Sequence, residues 1–210
     1  MSIIAKQLTI VVTLFNPREY LLGLFKFLEP IHSFVDIIFI DDSDNEKIIG
    51  ETASQLASFE NFHYQLFQTS SFAKKGVSFA RNLGISHAKT PFISFLDQDD
   101  SISLPSLAEA LEELRSNSSR ADLFVFPYTT KYLKSNKLIY DELVISNIPK
   151  ICSSTSYLKD EIYASSEKYR LANLVLASCW SKIYKMSVIK SYLIMEKKLK
   201  ISAKQTKLKN

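Results

Sequence analysis

Two clusters of aspartate follow apolar runs that have the composition of buried strands. The first cluster comes after VDIIFI, and the second comes after PFISFL. The members are Asp41, Asp42 and Asp44 in the first cluster and Asp97, Asp99 and Asp100 in the second. Carboxylates gathered at one edge of a sheet repel one another unless a cation or hydrogen-bond donors compensate. A hard divalent cation is the natural partner of such oxygens.

The spacing of Asp97 and Asp99 predicts a metal site. One residue separates them, so in an extended segment both side chains point to the same side and can face one ion. Mg²⁺ and Mn²⁺ prefer oxygen ligands and commonly share their coordination shell with substrate phosphates, which suits a diphosphate. The structural alternative is that aspartate after a strand forms a turn or caps the next helix. For Asp100 both interpretations stay open, whereas for Asp97 and Asp99 together the metal is favoured.

Alternating strands and helices must position these clusters. The predicted strands are residues 8–15, 35–40, 62–68, 91–96 and 122–128, and the predicted helices are residues 18–28, 46–59, 76–88 and a helix from about 104. Continuous apolar, β-branched strands are typical of a parallel sheet covered on both faces. We therefore expect an α/β fold with a Rossmann-like, mostly parallel sheet over roughly the first 130 residues. Residues 129–150 are predicted to form a hairpin or insertion, and residues 154–185 are predicted to be mostly helical.

Glycine usage restricts how a phosphate group is bound. The chain has four glycines, so neither GxGxxG nor GxxxxGK[ST] can be written. We therefore expect a diphosphate to be met by metal and side chains. The helix GVSFARNLG places Arg81 shortly before the second acidic cluster, although a solvent-facing helix also tolerates an arginine.

Four motifs resemble, in their order, those of the family 2 glycosyltransferases of the GT-A fold. They read LTIVVTLFN, IDDSD, GVSFARNLG and LDQDD, and a later segment, SCWSKIYK, is similar to the WxKxY element of many members. The resemblance covers residues 9–186. It implies a GT-A sheet flanked by helices, with a helical C-terminal appendage. It also implies an inverting, hexosyltransferase-type enzyme that moves a sugar from a nucleotide-diphosphate donor, usually a UDP-sugar, to a hydroxyl acceptor.

The resemblance also implies site residues and a cofactor, Mn²⁺ or Mg²⁺. The nucleotide-binding residues would be Phe15, Asn16, Asp41, Asp42, Arg81 and Asp97, and the metal-binding residues would be Asp97 and Asp99. Phe15 and Asn16 would border the nucleotide, with Asp41 and Asp42 near the base and ribose. Arg81 would order the acidic site and balance the diphosphate. Asp99 would ligate the metal directly, while Asp97 would contact the ribose or a water molecule of the metal.

The sequence departs from the family pattern where the catalytic base is expected. The base often lies in a Glu-Asp pair after the WxKxY element, but residues 181–210 contain a single acidic residue, Glu196. The acidic residues that could substitute, none of them supported by a motif, are Asp141, Glu142, Asp160 and Glu161. We expect a donor-binding domain at residues 6–128, an incomplete acceptor-side region at 129–195 and a basic tail at 196–210. A truncated donor-binding domain with weak or no transferase activity is the alternative.

One class of signalling domain and one other class of enzyme also use aspartates that follow a strand. A response-regulator receiver shares Mg²⁺ between paired acids and a phospho-accepting aspartate, and an aspartate-nucleophile phosphatase uses DxDx[TV]. Both predict covalent phosphorylation of Asp97. The receiver is disfavoured because a strand precedes IDDSD and nothing resembles the MPxxDG loop. The phosphatase is disfavoured because its motif normally opens the domain, whereas three strands come first here.

Charge and hydropathy restrict the partners and the location. The net charge is +4, of which residues 196–210 contribute +5, and a solvated tail is favoured over a lipid-binding or nucleic-acid-binding one. No apolar run approaches the roughly 18 residues of a membrane span. We expect a cytoplasmic protein that takes a carbohydrate or lipid-linked acceptor in surface polysaccharide or glycoconjugate synthesis and binds no nucleic acid. Peripheral contact with the inner membrane face stays compatible with this expectation.

Overall fold

The computed structural model describes residues 5–73, 75–117, 122–125, 130–134, 137–141, 151–152, 179 and 182–190. The strands are β1 (Leu8–Leu14), β2 (Asp36–Asp41), β3 (Gln65–Gln68), β4 (Phe92–Asp97), β5 (Leu123–Val125), β6 (Thr130–Lys134), β7 (Lys137–Asp141), β8 (Ile151–Cys152) and β9 (Lys182–Lys185). The helices are α1 (Leu21–Leu28), α2 (Glu46–Ala57), α3 (Val77–His87) and α4 (Leu104–Asn117). A 3-10 helix (Glu29–Ile31) follows α1, and residues 186–190 are helical.

One sheet organises the molecule, with the strand order β3-β2-β1-β4-β9-β5-β8. The first four strands in this order run parallel, so their carboxyl ends meet at the same edge. β9, β5 and β8 continue the sheet in antiparallel pairing. The predicted α/β fold with a mostly parallel sheet is therefore confirmed. Strands from both sides of the domain boundary expected near residue 128 belong to this sheet, because β8 and β9 follow the boundary and the other five strands precede it.

Every residue of β1 is buried, as its continuous apolar run predicts for a strand covered on both faces. On one face, α1, α2 and α4 pack their leucines against Leu8, Ile10, Val12 and Leu14. On the other face, α3 and the helical residues 186–190 pack against the cluster that contains Val11. Full burial of one such aliphatic side chain contributes roughly 1.5 to 3 kcal/mol. Burial on both faces thus holds the parallel strands, and with them the aspartates at their ends.

α3 lies unusually close to β1 because Gly84 has no side chain. A Cβ built on Gly84 would lie 2.4 Å from Cγ1 of Val11, closer than two carbon atoms can approach without displacement. The close packing sets the height of α3 above the sheet. It therefore also sets the position of Arg81, which lies one turn earlier on the same helix.

The structure corrects the helical prediction for the last part of residues 154–185. Lys182–Lys185 is a strand, β9, inserted between β4 and β5, while apart from residue 179 the rest of that range lies outside the described residues. Ile183 faces one hydrophobic cluster and Tyr184 packs against the other, so a β-branched and an aromatic residue alternate across the sheet. The pairing of β9 with β4 decides the conformation of this short segment.

The hairpin predicted within residues 129–150 is confirmed. β6 and β7 pair antiparallel, from Thr130 with Asp141 to Lys134 with Lys137, as a sheet of their own. Apart from residues 179 and 182–190, the predicted helical appendage lies outside the described residues, as does the predicted basic tail. Within the described ranges, no helix combines the length and the apolar character that crossing a membrane requires.

Candidate active site

The carboxyl ends of β1, β2 and β4 and the start of α3 enclose a cleft of about 410 Å³. The lining residues that the sequence predicted are Phe15, Asp42, Asp97 and Asp99. The lining residues that it did not predict are Thr13, Leu14, Gly76, Val77, Ala80 and Gln98. Of the remaining predicted residues, Asn16 and Asp41 adjoin Phe15 and Asp42 in the chain, and Arg81 pairs with Asp97. The fold thus brings all seven predicted residues to one edge of the sheet.

The first acidic cluster is held by donors from the protein itself. Asp41 is fully buried, and its Oδ1 accepts the backbone N–H of Ser43 at 3.0 Å. Ser43 Oγ in turn accepts the N–H of Asn16 at 2.9 Å. Asn16 has a φ of 49°, a left-handed conformation that asparagine tolerates better than most residues. This network joins the turn after β1 to the turn after β2.

Two oxygen atoms of this network have no hydrogen-bond partner in the described part of the chain. They are Asn16 Oδ1 and Asp41 Oδ2, and both are inaccessible to solvent. Buried polar atoms are rarely left unsatisfied in native proteins, because an unpaired buried acceptor is costly. Each is therefore an acceptor that a buried water molecule would satisfy.

Asp42 fastens both ends of the segment that precedes α3. Its Oδ1 accepts the hydroxyl of Thr69, and its Oδ2 accepts the backbone N–H of Gly76 at 2.8 Å. Gly76 has a φ of 104°, which favours glycine. Asp42 lines the cleft while both of its oxygens bond to the protein. These two hydrogen bonds could not be predicted from the sequence, because Thr69 and Gly76 lie 27 and 34 residues from Asp42 and belong to no recognisable motif.

The second acidic cluster begins with an ion pair. Arg81 Nη2 lies 2.8 Å from Asp97 Oδ1 and 3.0 Å from Asp97 Oδ2, and the two side chains are 19% and 31% exposed. Thr13 Oγ1 also donates to Asp97 Oδ1 at 2.8 Å. The sequence predicted a role for Arg81 but not for Thr13. Thr13 lies beside Asp97 because the register of β1 with β4 pairs these two residues. Both donors hold the Asp97 carboxylate in one orientation.

Asp99 and Asp100 complete the second cluster without such donors. Both are exposed, and Asp99 lines the cleft with no hydrogen bond or ion pair to any described residue. Partial burial and, after it, the neighbouring charges of Asp99 and Asp97 together raise the pKa of Asp100 to about 6, against the opposing effect of Arg81. Among the described residues, the Arg81 guanidinium is thus the one positive group that pairs with this cluster of three carboxylates.

The donor set fits a hard cation that also takes ligands from a substrate. Among the described residues, no three His, Cys, Asp or Glu side chains form a group that could hold a metal ion. Asp99 presents free carboxylate oxygens to the cleft, while Asp97 is bonded by Thr13 and Arg81. Mg²⁺ and Mn²⁺ are commonly bound by one or two carboxylates together with water and phosphate oxygens. An incomplete protein shell at a cleft matches that pattern.

β9 places the WxKxY-like segment beside the strand that ends in Asp97. Lys182 is 2% exposed, burial lowers its pKa to about 8, and its backbone carbonyl accepts the hydroxyl of Ser94 at 2.8 Å. The ring of Tyr184 lies 6.0 Å from that of Phe95, and burial raises the pKa of the Tyr184 hydroxyl. β9 thus pairs with the edge of β4 that does not pair with β1.

The sequence and the fold were compared with known proteins. The profile described as Glycosyl transferase family 2 matches residues 9–188. No curated protein sequence matches the chain.

The fold is similar to crystal structures of S. aureus TarS 1-349. One of them gives a TM-score of 0.55 at 17% identity and covers 89% of this chain and 49% of that chain. The complex of TarS with UDP-GlcNAc gives a TM-score of 0.57 at 16% identity, covering 89% of this chain and 47% of that one. The complex with UDP gives 0.55 at 16% identity. This chain spans about half the length of those structures, and the likeness confirms the GT-A architecture.

Proposed function

Because this chain belongs to glycosyl transferase family 2, we propose that it transfers a sugar from a nucleoside diphosphate sugar to a hydroxyl acceptor. The observation that carries the proposal is the cleft at the carboxyl ends of β1, β2 and β4, where an exposed aromatic ring and an open carboxylate face the same space. In open α/β sheets, ligands bind in the crevice at this edge. TarS structures contain UDP-GlcNAc and UDP, which supports UDP as the nucleotide here.

The nucleoside is proposed to bind at the β1 and β2 side of the cleft. Phe15 is 53% exposed at the cleft, so its ring is available to stack on a base. Asn16 and Asp41 are proposed to lie near the base and the ribose, where their hydrogen bonds to Ser43 hold the turn that carries Phe15. Asp42 contributes by holding the wall of the cleft between them and α3.

The diphosphate is proposed to bind at the β4 side, together with Mn²⁺ or Mg²⁺. Asp99 is the proposed direct ligand, and Asp97, held by Arg81, is the proposed contact to the ribose or to a water molecule of the metal. When bound, the metal would act as a Lewis acid that stabilises charge on the departing nucleoside diphosphate. Arg81 balances one carboxylate and orients it, and the turn that follows β4 carries Asp99 into the cleft.

The acceptor hydroxyl must lose its proton, and a carboxylate is the proposed base. Of the candidates from the sequence, Asp141 ends β7, and Glu142, Asp160 and Glu161 lie outside the described residues. The assignment of the base thus stays a prediction. We propose a carbohydrate or lipid-linked acceptor in surface polysaccharide or glycoconjugate synthesis, and cytoplasmic location with peripheral membrane contact stays part of the same proposal.

Binding of UDP measured by calorimetry, with and without Mn²⁺, tests the proposal. We expect Mn²⁺-dependent binding to the wild type and a loss of about 100-fold in affinity in Asp99→Ala, because the variant removes the proposed metal ligand. Asp44→Ala is the matched control, since Asp44 belongs to the first cluster, is exposed and does not line the cleft. Its affinity should stay within about twofold of the wild type.

Three results would contradict the proposal. One is the absence of UDP binding to the wild type, and another is binding of equal strength with and without Mn²⁺. The third is equal loss of affinity in Asp44→Ala and Asp99→Ala, since it would show that general charge rather than the cleft carries the effect. GDP titrated under the same conditions measures the preference for the base.

A further inference from the structure

On the side that faces β4, the backbone just after β1 is held by a side chain instead of a neighbouring strand. The parallel ladder between β1 and β4 has its last pair at Thr13 and Asp97. Two residues further on, the N–H of Phe15 donates to Gln98 Oε1 at 2.8 Å, and Gln98 Nε2 donates to the carbonyl oxygen of Phe15 at 3.0 Å. A single amide thus takes both backbone groups of Phe15. It replaces the partner strand at the point where the ladder stops.

Gln98 lies in the same turn as Asp99, the carboxylate that lines the cleft. The N–H of Asp100 donates to the carbonyl oxygen of Asp97 at 3.0 Å, so Gln98 and Asp99 are the two central residues of a β-turn. The side chain of Gln98 points back to β1, while Asp99 faces the cleft. The turn with the proposed metal ligand is therefore tied to the backbone of the residue with the proposed stacking ring.

We propose that Gln98 is a positioning residue that acts through Phe15, holding its ring where the base of a nucleotide can stack on it while the diphosphate of that nucleotide binds at the Asp99 side. This role rests on the proposed function, because it needs one ligand that reaches both sides of the cleft. Two hydrogen bonds to one planar amide fix both the distance and the orientation of the Phe15 backbone. Ordering this backbone before binding removes part of the entropy loss that stacking otherwise requires.

The chemistry of the side chain explains why glutamine suits this position. A carboxylate of the same length accepts the N–H of Phe15 but has no donor for its carbonyl oxygen. Methionine keeps the length and loses both hydrogen bonds. Asparagine keeps the amide on an arm that is one carbon shorter. Gln98→Met is therefore the variant that removes the two bonds with little change of volume, and Gln98→Asn tests the reach.

A double-mutant cycle with Phe15 tests the role. UDP affinity in the presence of Mn²⁺ is measured by calorimetry for the wild type, Gln98→Met, Phe15→Ala and the double variant. We expect Gln98→Met to lower the affinity about tenfold in the wild type and less than about twofold in the Phe15→Ala background. The effect disappears there because the ring that Gln98 positions has been removed. Gln98→Asn should behave like Gln98→Met if the length of the arm matters.

Exchange of the Phe15 amide hydrogen with solvent gives a readout that does not depend on UDP. We expect faster exchange in Gln98→Met, since Oε1 of Gln98 is its acceptor, and no change in Gln65→Met. Gln65→Met is the matched control because Gln65 is exposed on β3 and does not line the cleft. Urea unfolding of each variant verifies that it is folded at the temperature of the titration.

The outcomes separate this role from the proposed function. If the wild type binds UDP and Gln98→Met binds it equally well, only the role of Gln98 is overturned. A tenfold loss that persists in the Phe15→Ala background also overturns it, because Gln98 then acts independently of Phe15. If the wild type does not bind UDP, the proposed function fails and the positioning role fails with it, whatever the exchange of the Phe15 amide shows.

Discussion

The two acidic strand ends have similar sequences and different environments. After β2, Asp41 and Asp42 are buried and accept hydrogen bonds from backbone N–H groups and a threonine hydroxyl. After β4, Asp97 is paired with Arg81, while Asp99 and Asp100 are exposed. The first end holds the protein together. The second end leaves carboxylate oxygens for another molecule.

The difference shows that clustering of aspartates does not by itself call for a cation. At the β2 end, neutral donors compensate the charge, and hydrogen bonds to the ionised form stabilise it. At the β4 end a single guanidinium faces three carboxylates, and burial together with its acidic neighbours raises the pKa of Asp100 to about 6. The β4 end is therefore the one at which the cation expected from the sequence is proposed to bind.

The largest expected effect tests whether the position of α3 matters for the β4 end. Gly84→Ala should lower the free energy of unfolding by about 3 kcal/mol, because its Cβ would meet Val11 at 2.4 Å and push α3, with Arg81, away from the sheet. Urea denaturation measures the change. Gly50→Ala is the control, since Gly50 lies within α2 with nothing within 4 Å, and it should raise stability by roughly 0.5 to 1 kcal/mol. Equal stability of the two variants would contradict the close packing of α3 on β1.

The next effect contrasts the two strand ends directly. Asp42→Ala should lower the free energy of unfolding by about 2 kcal/mol, because it leaves the Gly76 N–H and the Thr69 hydroxyl without their acceptor. Asp99→Ala should change it by less than about 0.5 kcal/mol, since Asp99 is exposed and bonds to no described residue. Thermal or urea unfolding of both variants measures the difference. A larger loss in Asp99→Ala would reverse the assignment of the structural and ligand-facing ends.

The smallest effect compares two threonines at opposite ends of β1. Thr13→Val and Thr9→Val should each cost about 1 kcal/mol of stability, because each removes one hydrogen bond, to Asp97 and to Thr90 respectively. Only Thr13→Val should also weaken Mn²⁺-dependent UDP binding, by about three- to tenfold, since Thr13 orients a carboxylate in the cleft. Calorimetry and urea unfolding provide the two readouts. Equal UDP affinity in both variants would show that the orientation of Asp97 is unimportant.

Most of the core elements were predictable because their burial leaves a regular pattern of apolar residues in the sequence. The apolar runs of β1, β2 and β4 and the helical spacing of α1 and α4 identify them to within a few residues. β9 was not predictable, because a four-residue segment shows no period and its neighbours in the sheet are far away in the chain. The prediction of the site was limited in the same way, since the partners of Asp42, Thr13 and Phe15 lie 27 to 84 residues away.

The sequence by itself determined that aspartates would collect at the carboxyl edge of a parallel sheet, because continuous apolar strands pair in parallel between two covering layers and each acidic cluster directly follows such a strand. It also excluded the two glycine-rich phosphate-binding motifs, GxGxxG and GxxxxGK[ST], because the four glycines do not have the required spacing. Only the tertiary structure decided which carboxylates are satisfied by the protein and which remain open. That division depends on the register of β1 with β4 and on the close packing of α3 against β1. Residue types alone do not show which donors and acceptors come within about 3 Å of each other.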